Sequence, residues 1–325
     1  MNQIKVNLPG FLIALALSVV AVLLSMVVSF ISVILIGFLL GVIVGNIYNF
    51  NDAIQQGFSY TGSKLLELSV LFLAFSISFS NIKGLGWHSF SILIVTVVVV
   101  IYATIFLAKV FKCPDSTAWL TGFGTAICGS SAIAAASPVV GKKKDDVAIA
   151  LAVVNILGSI AMVVIPFVFK YIDISTAFKG LIIGGTLHSV GNVAGAAYAL
   201  DSEVGEIAIT IKLARVALLS PAIILFNYLI NKDKELPWKD YFKLPAYLWG
   251  FIAITILVSF VQLPTAFVKA MEESGKLILT LAMTAIGLKI HLKKLISAGR
   301  KAMLFGIMIY LVQLCIILAL GYFLV

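Results

Sequence analysis

Apolar residues in this chain come in long runs rather than in alternation. Phe11 to Val44 is almost unbroken, and similar runs recur up to Val325. A helix crosses a bilayer core with about 20 apolar residues. On that measure the runs predict about eleven spans, at 10–30, 32–49, 63–82, 88–111, 117–140, 145–170, 175–200, 206–230, 244–263, 270–290 and 300–325. Phe11 to Val44 is too long for one helix, and Ser29 to Ser32 supplies the turn. The pattern describes an all-α polytopic membrane protein, one integral membrane domain over 1–325. A transmembrane β-barrel is excluded, because its strands alternate apolar and polar residues.

Two of the runs are interrupted in the middle. Gly122, Gly124, Thr125, Cys128, Gly129, Ser130 and Ser131 break one, and Gly184, Gly185, Thr186, His188, Ser189, Gly191 and Asn192 break the other. A helix broken at membrane depth frees backbone groups that lipid cannot satisfy, so protein or a polar cavity must cover the break. Such pairs point to the binding site of a secondary transporter. A half-helix restarts over 132–139 with Ser130 or Ser131 as N-cap, and another near Val193 capped by Asn192. Each turns free N–H groups and a positive dipole end towards the break, a geometry that binds anions. Close packing of small residues is the alternative reading of both breaks.

Other polar residues inside spans join this set. His188 is a proton relay or a hydrogen-bonded structural histidine. Asn155, a lone amide, donates to an anion or bridges helices. Lys212 and Arg215 share a face of the eighth span, where they snorkel or line the cavity of the breaks. Arg215 is expected to face the interior and to matter more for anion transport than for folding. The candidate substrate-binding residues are thus Thr125, Cys128, Gly129, Ser130, Ser131, Asn155, His188, Ser189, Asn192, Lys212 and Arg215.

Composition supports the membrane assignment. The chain is 62% hydrophobic and 11% charged, against about 25% charged in soluble domains, and its mean hydropathy is +1.14. The net charge of +9 reads as loop lysines rather than as a nucleic-acid surface. Fifteen of the 23 basic residues fall in loops on the N-terminal side and six on the other, with Lys212 and Arg215 inside a span. That bias puts the N-terminus in the cytoplasm and the C-terminus outside. Lys142 to Lys144 fall on the wrong side for it.

The remaining chemistry is sparse. Cys113, Cys128 and Cys315 imply neither a disulfide framework nor a metal site. Glu67, Glu206, Glu272 and Glu273 fall near span ends, which leaves no carboxylate at a span centre to hold a cation. The basic or neutral interior favours an anion. Absence of a Ser-His-Asp set, an HExxH motif and a Walker loop argues against an enzyme and against a cofactor. Gly37, Gly41 and Gly45 share one helix face, a packing face within one bundle or in a homodimer.

These residues also carry a resemblance. The stretch 124–133 (Gly-Thr-Ala-Ile-Cys-Gly-Ser-Ser-Ala-Ile) followed by Ser137-Pro-Val resembles the signature of the bacterial YeiH family of sulfate exporters. Supporting segments are Leu39-Leu40-Gly41 through Gly45-Asn46, Gly185 to His188, Lys212-Leu-Ala-Arg215-Val and Ala285 to Lys289. After His188 the family often has Gln-Val-Val, where this chain has Ser189-Val-Gly-Asn192. The resemblance implies inverted repeats, two broken helices crossing at the midplane, and a core domain around 117–230 and 270–290 moving against a panel. One predicted span separates the breaks, so either the repeats are permuted or one break is not a crossing helix. The implied function is secondary transport, in the bacterial inner membrane, of a small anion such as sulfate or a related sulfur oxyanion, coupled to H+ or Na+. The rival readings are a cation antiporter and an uncoupled anion channel or membrane sensor.

Overall fold

The computed structural model describes residues 2–27, 32–77, 86–113, 115–140, 144–230, 246–290 and 300–324, and its regular elements are helical. They are α1 (Asn2–Val27), α2 (Val33–Ile47), α3 (Asp52–Leu73), α4 (Gly86–Val110), α5 (Asp115–Ala126), α6 (Ser130–Val140), α7 (Lys144–Phe169), α8 (Thr176–Thr186), α9 (Val190–Ala197), α10 (Ser202–Ala217), α11 (Leu219–Ile230), α12 (Ala246–Phe260), α13 (Thr265–Leu288) and α14 (Arg300–Leu324). A 3-10 turn, Ala74–Ser76, follows α3. Residues 29–31 of the expected first turn lie outside the described residues. So do Lys83, Lys142, Lys143, Lys232, Lys234, Lys239, Lys243, Lys293 and Lys294 of the loop charge count.

Within the described residues, the expected apolar segments fall on helices or on helix pairs with a short interruption; residues 28–30, 78–82, 244–245 and 325 of these segments lie outside the described residues. Among the described residues, four helices are long and apolar enough to cross a membrane: α1 from Asn7, α4 from His88, α7 from Asp145, and α14. The pair α10–α11 makes a fifth if its 44° bend lies within one span. The expected eleven is not reached on length and hydropathy, and three of the shortfalls have a direct physical reason. Helix α2 has 15 residues, about 22 Å at 1.5 Å per residue, against a hydrocarbon core of about 30 Å. The segments 117–140 and 175–200 are each cut into two short helices.

Helix boundaries follow local chemistry. Ser32 and Asn51 cap α2 and α3 by accepting from Leu35 N and Ile54 N, the latter at 2.9 Å. The Asn51 cap lets α3 begin well before the apolar run expected from residue 63, and Phe58, Thr61 and Gly62 of this early stretch are buried. Pro221 stands near the start of α11. Its ring clashes with the carbonyl four residues back and it has no N–H to donate, which accounts for the bend at Leu218.

Contacts divide the chain into two compact units: 1–84, 194–206 and 246–292 in the first, and 85–193, 207–245 and 293–325 in the second. In the first, α13 packs on α1, α2 and α3, and α12 on α3. The segment 270–290 packs with the N-terminal helices within the first unit. In the second, α5 is surrounded by α4, α6, α7 and α14, and α14 also packs on α8. Asp146 at the head of α7 accepts hydrogen bonds from Ser116 and Thr117 at the head of α5. The rings of Phe123 and Phe226 stack with centroids 4.7 Å apart.

The glycine face of α2 is filled by the chain's own α13. A Cβ on Gly41 would collide with Thr284 O, one on Gly45 with Leu288 O, and one on Gly287 with Phe38 O. Small residues on both helices let the backbones touch, so this face is used for packing inside the unit. Gly41→Val is expected to force α2 and α13 apart. Overpacking of this kind costs about 1–3 kcal/mol or more. Thermal unfolding followed by fluorescence size-exclusion should show a lowered midpoint, and a wild-type midpoint would contradict this account of the packing.

Candidate functional site

Both expected breaks exist, and both lie in the second unit. The first comprises residues 127–129, between α5 and α6. Gly129 has φ +75, the left-handed region that penalises any residue with a Cβ. Its N–H reaches Gly124 O at 2.8 Å, and its own carbonyl accepts from Ile133 N at 3.1 Å. Gly129 therefore occupies the cap position of α6. Ser130 and Ser131, expected as caps, are its first two residues and are exposed. Ser131 Oγ lies 3.1 Å from the buried Cys128 Sγ.

The second break comprises residues 187–189, between α8 and α9. Ser189 Oγ accepts from Asn192 N at 3.0 Å and Ser189 O accepts from Val193 N at 3.1 Å. Ser189 is the cap, and α9 restarts at Val190, three residues earlier than expected. A shorter side chain at the first non-helical position reaches the third amide, the usual N-cap geometry. Asn192 is released from the capping role. It is 5% exposed, and its side-chain amide has no hydrogen-bond partner among the described residues.

The two breaks touch. A Cβ built on Gly129 would lie 3.4 Å from His188 Cβ and 3.3 Å from Val154 Cγ1 of α7. One turn on, a Cβ on Gly158 would collide with Asn192 Nδ2 and lie 3.4 Å from His188 Nδ1. Helix α7 thus runs along both breaks, and the bare face of Gly158 makes room for two polar side chains. Asn155, expected as a buried amide, sits on this stretch of α7 but is exposed.

The carbonyl ends of α5 and α8 meet on a cluster of donors. Lys212 Nζ donates to Ile127 O and Leu187 O, both at 2.8 Å. Arg215 donates to Thr125 O at 2.6 Å, Ala126 O at 3.1 Å and Gly185 O at 2.6 Å, with longer bonds to Gly184 O and Leu187 O. Gln313 Nε2 of α14 bridges Thr125 O and Gly185 O, at 3.1 Å each. Lys212 and Arg215 are 0% exposed and form no ion pair among the described residues. Their donors are directed at backbone carbonyls, and neither side chain snorkels to a surface. Thr125 is buried beside them; its hydroxyl donates to Thr121 O at 2.9 Å and lies 3.3 Å from His188 Nε2.

Charge arithmetic follows. Two helix C-termini carry about −0.5 each. Arg215 alone balances them, and Lys212 adds further positive charge. The opposite, N–H-bearing ends of α6 and α9 begin at the same crossing and add about +0.5 each. On this count the crossing carries net positive charge, and the positive groups of α10 are committed to backbone carbonyls.

The set differs from the sequence reading at three further positions. Gly158, Tyr310 and Gln313 were missed. Tyr310 stacks on His188 with ring centroids 5.2 Å apart and an interplanar angle of 28°. Tyr310 and Gln313 are three residues apart, one face of a helix, in a run otherwise almost wholly apolar. That spacing was the available signal.

Long apolar helices and a buried crossing of two interrupted helices define a helical integral membrane protein. The family described as "Conserved hypothetical protein 698" matches residues 9–306, and the chain belongs to it. A UPF0324 membrane protein, YdhF, of Lactococcus lactis subsp. lactis is 30% identical over 326 residues, covering 96% of this chain and 97% of its own. One from Helicobacter hepaticus is 31% identical over 327 residues, covering 93% and 94%. One from Lactiplantibacillus plantarum is 28% identical and covers 96% of both chains. No solved structure matches the chain.

Two outcomes are expected at the crossing. Arg215→Gln strips partners from carbonyls at both breaks, and bonds to a charged donor contribute about 1.5–3 kcal/mol each. This variant should lose the monodisperse elution peak or melt far below wild type; a well-folded Arg215→Gln protein would show that the carbonyls find other partners. Gly129→Ala should destabilise by about 1–3 kcal/mol through the left-handed backbone, and an unchanged thermal midpoint would contradict that.

Proposed function

We propose that this protein is a secondary transporter of a small anion, of the sulfate or sulfur-oxyanion class, in the bacterial inner membrane. The observation that carries the reading is the polarity of the crossing. The carbonyl ends of α5 and α8 are saturated by Lys212, Arg215 and Gln313. The amide ends of α6 and α9 open beside the free Asn192 side chain and the bare face of Gly158. An anion docks at the amide ends: backbone N–H groups of 130–132 and 190–191 replace its water, with Ser130, Ser131, Ser189 and Asn192 as further donors. Lys212 and Arg215 act at a distance, by the positive charge they leave at the crossing.

Two interrupted helices meeting at their breaks are what an inverted repeat would bring together, with each break at the bilayer midplane. The unit holding them serves as the transporting core. The unit built on α13 serves as the panel. A cation antiporter is disfavoured, because among the described residues no carboxylate accompanies Lys212, Arg215 or His188 at the crossing. A transporter is preferred to a channel because the crossing is sealed on its carbonyl side by buried side chains.

A thermal-shift screen against sulfate, thiosulfate, methanesulfonate, acetate, chloride and sodium tests the reading. Ligand that binds the native state alone stabilises it by RT ln(1 + [L]/Kd), so a sulfur oxyanion is expected to raise the midpoint. Asn192→Leu, which removes a free amide without removing the Ser189 cap, should reduce that shift. Stabilisation by sodium and by no anion would overturn the proposal. Counterflow in proteoliposomes separates a carrier, which exchanges labelled anion, from a channel, which does not.

A further inference from the structure

His188 takes no part in that reading, yet it is 1% exposed at the point where the breaks touch. Its two ring nitrogens are in different situations. The Thr125 hydroxyl spends its proton on Thr121 O at 2.9 Å, so its lone pairs are left to receive the Nε2 proton of His188 at 3.3 Å. A neutral imidazole with Nε2–H has a bare lone pair on Nδ1. That Nδ1 is buried with no hydrogen-bond partner among the described residues. It faces the Gly158 cradle, beside Asn192 Nδ2.

We infer that His188 is a proton site filled together with the transported anion, so that one binding event takes up both. The inference rests on the anion reading above. The groups around the ring are Thr125 of α5, Gly129 of the first break, Lys212 and Arg215 of α10, Asn192 of α9, Val154 and Gly158 of α7, and Tyr310 of α14, stacked on its face. Two of these are cationic and none is a carboxylate. A proton added to Nδ1 of the empty protein would be a further positive charge in an enclosure with nothing to balance it. An anion at the heads of α6 and α9 supplies the missing negative charge and an acceptor for the new Nδ1–H. Each ligand then favours the other by the same factor, as linkage requires.

The step is a simple proton transfer. Nδ1 accepts a proton from hydronium with its lone pair, the O–H bond of hydronium breaks to leave water, and the imidazolium donates to the anion. A dianion loaded with one proton still carries net negative charge relative to the empty carrier. An inside-negative membrane potential therefore drives the loaded form outward, in keeping with export.

Calorimetric titration of the intact purified protein counts the protons. Sulfate, thiosulfate and methanesulfonate serve as probes, since none takes up a proton near neutral pH. Each titration is repeated in buffers of different ionisation enthalpy. The expected result is up to one proton taken up per anion, with the apparent Kd rising as pH rises, up to about tenfold per pH unit. His188→Asn should bind more weakly, take up no proton and lose the pH slope. Folding of this variant is checked by elution and melting, and a second measurement needs no variant. The chain has three histidines; in ring-15N-labelled wild-type protein at neutral pH, the His188 ring should become imidazolium when sulfate is added. Anion binding without proton uptake, or a His188 ring indifferent to sulfate, overturns the inference and leaves the anion reading standing. Unchanged proton uptake in a well-folded His188→Asn protein also overturns it. Failure of all three probes to bind removes the anion reading and this inference with it.

Discussion

The structure of the second unit depends on what becomes of a few backbone carbonyls. Cutting a helix inside a membrane protein leaves the last carbonyls of each half without intrahelical donors. Here two helices are cut, and the orphaned oxygens of residues 125–127 and 184–187 are brought to one place. Arg215, Lys212 and Gln313 satisfy them together. Arg215 and Gln313 each reach across to both helices, so neither break is secured independently of the other. The bend at Leu218 begins just past Arg215, and α14 must come close enough to deliver its amide. Arrangement of α5, α8, α10 and α14 is thus constrained by one set of hydrogen bonds.

Satisfying the carbonyls from one side has a chemical effect on the other. The donors that close the C-terminal ends are cations, so the crossing retains positive charge rather than becoming neutral. The heads of α6 and α9 share that field. Gly129 and Gly158 contribute by lacking side chains: one allows the left-handed turn, and the other leaves space beside Asn192 and His188. Among the described residues, the Asn192 side-chain amide and His188 Nδ1 are unpartnered polar groups beside Gly158.

Much of this was legible in the sequence. Long apolar runs specified helices, and glycines with small polar residues marked both breaks to within a few positions. The segments that carried the family resemblance also pack in groups: 39–46 lies against 285–289 in one unit, and 124–128, 184–187 and 212–215 meet in the other. What was not legible depends on tertiary geometry. Ser189 and Asn192 are both good caps by composition, and only the point at which α9 restarts decides between them. Lys212 and Arg215 announced themselves as buried cations, but a sequence does not say whether a cation faces a ligand or a carbonyl. Asn155 read as buried because its neighbours are apolar, whereas its own helix face is open. Gln313 lay in a run whose hydropathy hid it. The division into units was invisible because 270–290 and 300–325 look alike as apolar helices.

The length of chain between the partners bears on how the protein is made. Arg215 is 89 or 90 residues beyond the carbonyls it serves in the first break, and Gln313 is 188 residues beyond Thr125. At synthesis rates of about 5–20 residues per second, Gln313 emerges roughly 10–40 s after the break it helps to close. Until α10 brings Lys212 and Arg215, 85 to 90 residues beyond those carbonyls, the cut between α5 and α6 has unpaired carbonyls that hydrocarbon cannot accommodate. The nascent α5–α6 pair is therefore obliged to wait beside water, the insertion machinery or a chaperone, and to enter its final place after α10 has been translated. Assembly of this unit runs from the C-terminal helices back to an earlier hairpin, against the order in which the chain leaves the ribosome.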